Sequence, residues 1–211
     1  MLLHMGLDVG STTVKLVALD DEEKIVFSTY RRHFSDMKKT VSDIMETVHD
    51  KFSGDDTTMN VTGSGGIAVA ELLNIPFVQE VVAGTEAITH YIPESDIAIE
   101  LGGEDSKITY LRGSLEQRMN SICAGGTGAF IDQMASLLKT DASGLNELAK
   151  HHKKIYPIAS RCGVFAKTDV QALMNQGATH EDIAVSVFQS VVNQTISNLA
   201  CGRPIRGNVA F

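Results

Sequence analysis

Two stretches of the chain carry one pattern 92 positions apart, and this repetition constrains the fold more than any other feature. GLDVGSTTVKLVAL from Gly6 lies over AIELGGEDSKITYL from Ala98, which places Asp8 over Glu100, Gly10 over Gly102, Lys15 over Lys107 and Leu19 over Leu111. In each copy an apolar run reaches a carboxylate, breaks at glycine and resumes as a second apolar run. That is the signature of a strand, a tight turn and an antiparallel strand. Internal duplication follows, and 211 residues are enough for two lobes of about 100 residues each.

The surrounding pattern fills in both lobes. Strands are predicted over 3–9, 14–19 and 24–30 as an antiparallel meander, followed by a helix from a Ser35 cap through Phe52, with Met37, Val41, Ile44, Met45, Val48 and Phe52 at helical spacing. A strand over 58–62, a turn at Gly63 to Gly66 needing positive φ, a helix through Leu73, a short strand at Phe77-Val78 and a helix over 84–91 complete a first lobe, 1–94. The second lobe, 95–211, opens with strands over 96–101, 106–111 and 114–121. It continues in helices over 127–138, 144–151, 168–175 and 181–200, the last capped by Thr179 and closed by Gly202 and Pro204.

Composition removes several function classes. A net charge of -8 without a Lys or Arg cluster excludes an electrostatic nucleic-acid groove. With no tryptophan and 6% aromatics there is little to stack bases on. No apolar run approaches the roughly 20 residues of a membrane span, and the start MLLHMGLDVGS has no basic leader, so a cytoplasmic protein away from membranes is expected. Three cysteines, an odd number, argue against a disulfide framework.

The glycine turns carry chemistry. A carboxylate at a strand end beside glycines suits phosphate, because bare backbone N–H groups reach the anion while the acid holds magnesium. Asp8 with Gly10, Ser11, Thr12 and Thr13 fits, and so does an ordinary turn with a solvated aspartate. Two copies favour the first reading, since duplicated turns facing each other across a cleft clamp one polyphosphate. A third glycine loop, Gly125-Gly126-Thr127-Gly128, opens a helix, whose N-terminus attracts anions or is merely capped.

Cys123 and Cys162 both sit at predicted helix starts, where thiolates are stabilised. Either both are small buried hydrophobes, or each chain gives two thiolates to a four-thiolate site completed by a second chain at a two-fold axis. Cys201, in the last turn of the long helix, reads as structural.

Together GLDVGSTTVKLVALD, IELGGEDSKI and NSICAGGTGAFIDQMA resemble the ATP-dependent activators (archerases) of 2-hydroxyacyl-CoA dehydratases, in the family that also holds the ATPase subunits of benzoyl-CoA reductase. The resemblance runs over nearly the whole chain. It implies an α/β, actin-like ATPase (ribonuclease-H-like) fold of two duplicated lobes with mixed sheets flanked by helices. It also implies ATP in the cleft and a homodimer sharing one 4Fe-4S cluster. Carried over residue by residue, Cys123 and Cys162 are the cluster ligands, and Asp8, Gly10, Ser11, Thr12 and Thr13 form the first phosphate loop, with Lys15 grouped beside them. The second loop runs from Glu100 through Gly102 and Gly103 to Asp105, and Gly125, Gly126, Thr127 and Gly128 face the nucleotide from the second lobe. Asp8 and Glu100 would hold magnesium, and Glu104 or Asp105 would orient the attacking water.

The implied activity is ATP hydrolysis that drives one electron from the cluster onto an acyl-CoA dehydratase or reductase component, with a ferredoxin- or flavodoxin-type protein as electron donor. The ELGGED form, with Glu100 and Glu104 where smaller members have aspartate and glutamine, resembles the N-terminal module of large activator-like proteins. Ending at GNVAF, the chain is expected to be a C-terminally shortened piece lacking the family's further adenosine-contacting loop. Two rivals share the fold: a small-molecule kinase, such as an amino-sugar kinase, and a non-catalytic nucleotide-responsive module.

Overall fold

Alternation decides the first sheet. In β1 (Leu2–Val9), Leu3, Met5, Leu7 and Val9 are buried while His4, Gly6 and Asp8 turn to the opposite face. β1 pairs antiparallel with β2 (Thr13–Leu19), which pairs antiparallel with β3 (Ile25–Arg32). On its other side β1 pairs parallel with β4 (Asp56–Thr62), giving the order β3-β2-β1-β4. The crossover before β4 is α1 (Met37–Phe52), whose stripe Val41, Ile44 and Val48 closes over the sheet. The described residues of this computed structural model are 2–120 and 125–211, and their contacts divide into two units, Met1–His90 and Tyr91–Phe211.

The meander and the first helix stand where the sequence predicts them, with one shift. The cap of α1 is Asp36, which accepts from the Lys39 N–H at 3.1 Å, and not Ser35. Phe34 and Ser35 both adopt left-handed backbone, with φ of 44° and 69°, so the chain is still turning at Ser35. After β4 come α2 (Gly66–Leu73) and α3 (Glu80–Tyr91), the latter starting four residues earlier than predicted.

The second unit repeats the first sheet. β5 (Ile97–Leu101), β6 (Ser106–Tyr110) and β7 (Glu116–Asn120) form a meander. The helices α4 (Gly128–Leu137), α5 (Ala142–Lys150), α6 (Gly163–Asn175) and α7 (His180–Gln194) follow. A short β8 (Val209–Ala210) then returns parallel to β5, so the order β7-β6-β5-β8 reproduces β3-β2-β1-β4. Phe130, Met134, Leu145, Ile183 and Val187 pack the helical layer, and Ile97, Ile108, Tyr110 and Leu199 pack against the sheet.

Two predicted helices differ in extent. α6 begins at Gly163 rather than Thr168, and Cys162 is its extended N-cap. The helix predicted as continuous over 181–200 changes at Thr195 into a π-helical segment, Thr195–Ala200. The Thr195 hydroxyl donates to the Val191 carbonyl at 3.1 Å, and Arg118 draws on the carbonyls of Leu199 and Ala200; both loosen the regular ladder. Cys201 caps this segment, exposed and left-handed at φ 44°, instead of lying inside its last turn. Among the described residues no helix is long and apolar enough to cross a membrane.

Asp182, in the first turn of α7, ties the loop that follows α5 to that helix by accepting the N–H groups of Lys153 and Lys154 at 2.7 and 2.9 Å. These two bonds hold its carboxyl below the usual carboxylate range. A carboxyl lowered by folding contributes stability that is present above the ordinary range and lost as pH falls through the folded value. Asp182→Asn is therefore expected to lower the unfolding midpoint at pH 7. The difference from the unaltered chain should shrink steadily below about pH 4 in thermal melts taken across pH.

Candidate functional site

Each hairpin sets a lysine directly across from a carboxylate at the point where the chain turns. In the first unit β1 and β2 register Asp8 opposite Lys15, and the Lys15 ammonium donates to Asp8 Oδ2 at 2.7 Å. The turn between them is closed by the Gly10 N–H donating to the Thr13 carbonyl at 2.9 Å, with Ser11 exposed at its tip. Lys15 also stands 5.6 Å from the Tyr30 ring centroid, which steadies the ammonium beside the turn.

Asp8 is braced from β4. The parallel register sets Asp8 beside Thr62, and the next residue, Gly63, adopts φ +94° against it. A Cβ on Gly63 would overlap both Asp8 Oδ1 and the Val9 carbonyl, so only glycine allows this approach. The sequence predicts the turn and its positive φ but not its contact with Asp8. Asp8 Oδ1 and the Thr62 hydroxyl are both buried without a hydrogen-bond partner. A buried carboxylate oxygen of this kind suits a hard cation or its bound water, so the first turn fits magnesium.

The second hairpin keeps the register and changes the charges. Glu100 lies opposite Lys107 and Leu101 opposite Ser106. Lys107 is 6% exposed, with its ammonium 3.4 Å from Asp105 Oδ2 and 3.8 Å from Glu100 Oε2. An ammonium this buried needs a nearby acid, and Lys107 has two, Asp105 and Glu100, which leave the group with one net negative charge. Asp105 folds over Gly102, where a Cβ would strike its carboxylate. Glu104 projects into solvent from the same turn. The Ser106 hydroxyl is buried and unpaired, and position 14, its counterpart in the repeat, is valine, so comparing the two copies does not reveal it.

The third glycine loop sits directly on this turn. Gly125, Gly126 and Thr127 are buried, and Thr127 caps α4. The first helical N–H groups, of Gly128 and Ala129, donate to the carbonyls of Gly102 and Gly103 at 2.8 and 2.9 Å. The helix N-terminus thus binds the second turn's backbone.

Of the proposed metal ligands, Cys123 lies outside the described residues. Cys162 is a half-buried free thiol at the N-cap of α6, and a Cβ on the next residue, Gly163, would lie 3.7 Å from the Gly125 N. The start of α6 is thereby packed beside the third loop. Its Val164 and Phe165 are 71% and 66% exposed. Among the described residues no three His, Cys, Asp or Glu side chains converge on one metal-holding point.

Comparisons with known proteins bear on the family and the fold. The description of the BadF/BadG/BcrA/BcrD ATPase family matches residues 5–206. A 2-hydroxyisocaproyl-CoA dehydratase activator of Clostridioides difficile is 31% identical over 215 residues, 98% of this chain and 79% of that protein. The crystal structure of component A of (R)-2-hydroxyglutaryl-CoA dehydratase from Acidaminococcus fermentans superposes with a TM-score of 0.86 at 29% identity, covering 99% of this chain and 82% of that one. The C. difficile 2-hydroxyisocaproyl-CoA dehydratase activator with bound ADPNP superposes at 0.85 with 30% identity, covering 98% and 78%. The fold is the actin-like ATPase fold expected from the sequence.

The close approach of Gly63 to Asp8 is open to test. Gly63→Ala is expected to destabilise the chain by about 1–3 kcal/mol in chemical denaturation, because φ and space both oppose a side chain. Gly6→Ala, where no atom lies within 4 Å of an added Cβ, should change stability by less than about 0.5 kcal/mol.

Proposed function

Because this chain belongs to the BadF/BadG/BcrA/BcrD ATPase family, we propose that it is an ATP-driven one-electron donor that activates a 2-hydroxyacyl-CoA dehydratase-type enzyme as a homodimer sharing one 4Fe-4S cluster. The observation that carries the ATPase half is the duplicated carboxylate–lysine pair at the mouth of each glycine turn. The ADPNP held by the C. difficile activator supports ATP as the nucleotide. That the C. difficile and A. fermentans proteins are activators of acyl-CoA dehydratases supports an acyl-CoA dehydratase as partner.

In this reading the backbone of Gly10, Ser11, Thr12 and Thr13, with Lys15, takes phosphate oxygens in the first unit, and Gly102 and Gly103 do so in the second. In the first unit Asp8 would hold magnesium, directly or through water; the ion, when bound, would neutralise charge on the transferring phosphoryl group. The Asp8 oxygen that is buried without a partner supports that assignment. Asp105 is already engaged with Lys107 and holds the turn, which leaves Glu104, standing in solvent, to orient the attacking water.

Cys123 and Cys162 of each chain hold the cluster, which when bound supplies one-electron transfer. The half-buried Cys162 at a helix start fits a thiolate ligand, and the packing of Gly163 against Gly125 supports pairing its loop with the one that carries Cys123. Val164 and Phe165 give the second copy an apolar surface beside the thiol. An electron donor of the ferredoxin or flavodoxin type and a cytoplasmic setting complete the proposal.

Two measurements test it. Protein kept anaerobic should release phosphate from ATP without any acceptor, and Asp8→Asn should lower kcat by about a hundredfold or more. Cys162→Ala should lose bound iron while retaining nucleotide binding. Full iron content in that variant overturns the cluster assignment.

A further inference from the structure

Gln194 is 1% exposed, and both atoms of its amide, Oε1 and Nε2, are buried without a hydrogen-bond partner. A primary amide has two donors and an acceptor to satisfy, and leaving it unpaired in the interior is costly. The sequence gives no notice of it, since the position falls within the helix predicted over 181–200 and is not one of its apolar residues. Three features of its surroundings go together. Gln194 is the last residue of α7, at the junction with the π-helical segment, a distortion often found at functional positions. Its side chain lies against Gly126, where a Cβ would come within 2.6 Å of its Cγ. Gly126 itself holds φ +81° in the buried loop whose next residues clamp the carbonyls of Gly102 and Gly103.

We infer that Gln194 is a positioning residue for nucleotide binding: its amide takes up hydrogen bonds to the peptide groups around Gly126 when that loop adopts its nucleotide-bound arrangement. The inference rests on the ATP reading above. Gly126 is the element able to respond, because a glycine with left-handed φ reorients its flanking peptides without a side chain in the way. A peptide group presents one donor and one acceptor, the same complement that the amide offers. Since Gly128 and Ala129 bond the second phosphate turn, a change in that turn reaches Gly126 through two residues of backbone. Gln194 would reward one loop arrangement over the other and so act on nucleotide affinity without touching the nucleotide.

A leucine at this position keeps the volume and removes the unpaired groups. Gln194→Leu is expected to raise the unfolding midpoint without nucleotide by about 2–4 °C, and to weaken ADP binding about tenfold by calorimetry. Gln194→Asn, which keeps a neutral amide, should recover part of that affinity. If Gln194→Leu melts lower than the unaltered chain, the amide is already satisfied, by a buried water, and the inference fails. It fails equally if the melting rise appears while ADP affinity is unchanged. Should the leucine variant not fold, Gln194→Met carries the same two expectations. An unaltered chain that binds no ADP overturns the ATP reading itself, which is a separate outcome from a variant that binds as well as its parent.

Discussion

A lysine fixed across a hairpin from a carboxylate is the interaction on which the rest of this molecule turns. In the first unit the pair is Asp8 and Lys15, in partial contact with solvent and 2.7 Å apart. In the second it becomes a buried ammonium shared between Asp105 and Glu100. The difference has a physical consequence. A half-exposed pair exchanges easily with an incoming anion or cation, whereas a buried ammonium held between two acids resists separation, since drawing it away breaks both contacts at once. The first hairpin therefore leaves its charges more accessible than the second, although both carry one pattern.

Rigidity in the second turn gives its backbone a further use. The carbonyls of Gly102 and Gly103 are bonded by the first N–H groups of α4, so turn and helix move as one piece. The same loop packs Gly125 beside the start of α6, where Cys162 forms the cap. A short run of backbone thus joins the second glycine turn to the thiol-bearing helix end within a single unit. The coupling of ATP hydrolysis to electron transfer proposed above would need a connection of this kind between turn and helix.

Much of this was legible in the residues. The 92-position repeat predicts two sheets with matching hairpins, and the structure gives both the same register, Asp8 opposite Lys15 and Glu100 opposite Lys107, which the alignment of the copies does not by itself set. What escaped has local physical causes. The two-residue strand Val209–Ala210 is too short to show a period, and it joins the sheet because β5 offers an unpaired parallel edge. The break at Thr195 depends on a hydroxyl bonding back to Val191 and on Arg118 arriving from β7, neither of which periodicity registers. Gly63 reaching Asp8, and Gln194 lying under Gly126, are contacts between distant segments that spacing cannot encode.

The proposed function joins a nucleotide-holding pair of turns to thiols that two copies of the chain must share. Native mass spectrometry of protein purified under argon reads that most directly, because it reports subunit number and bound metal in one spectrum. A dimer carrying about two iron atoms per chain is the result the account requires. A monomer retaining its own full complement of iron, or a dimer with none, contradicts it.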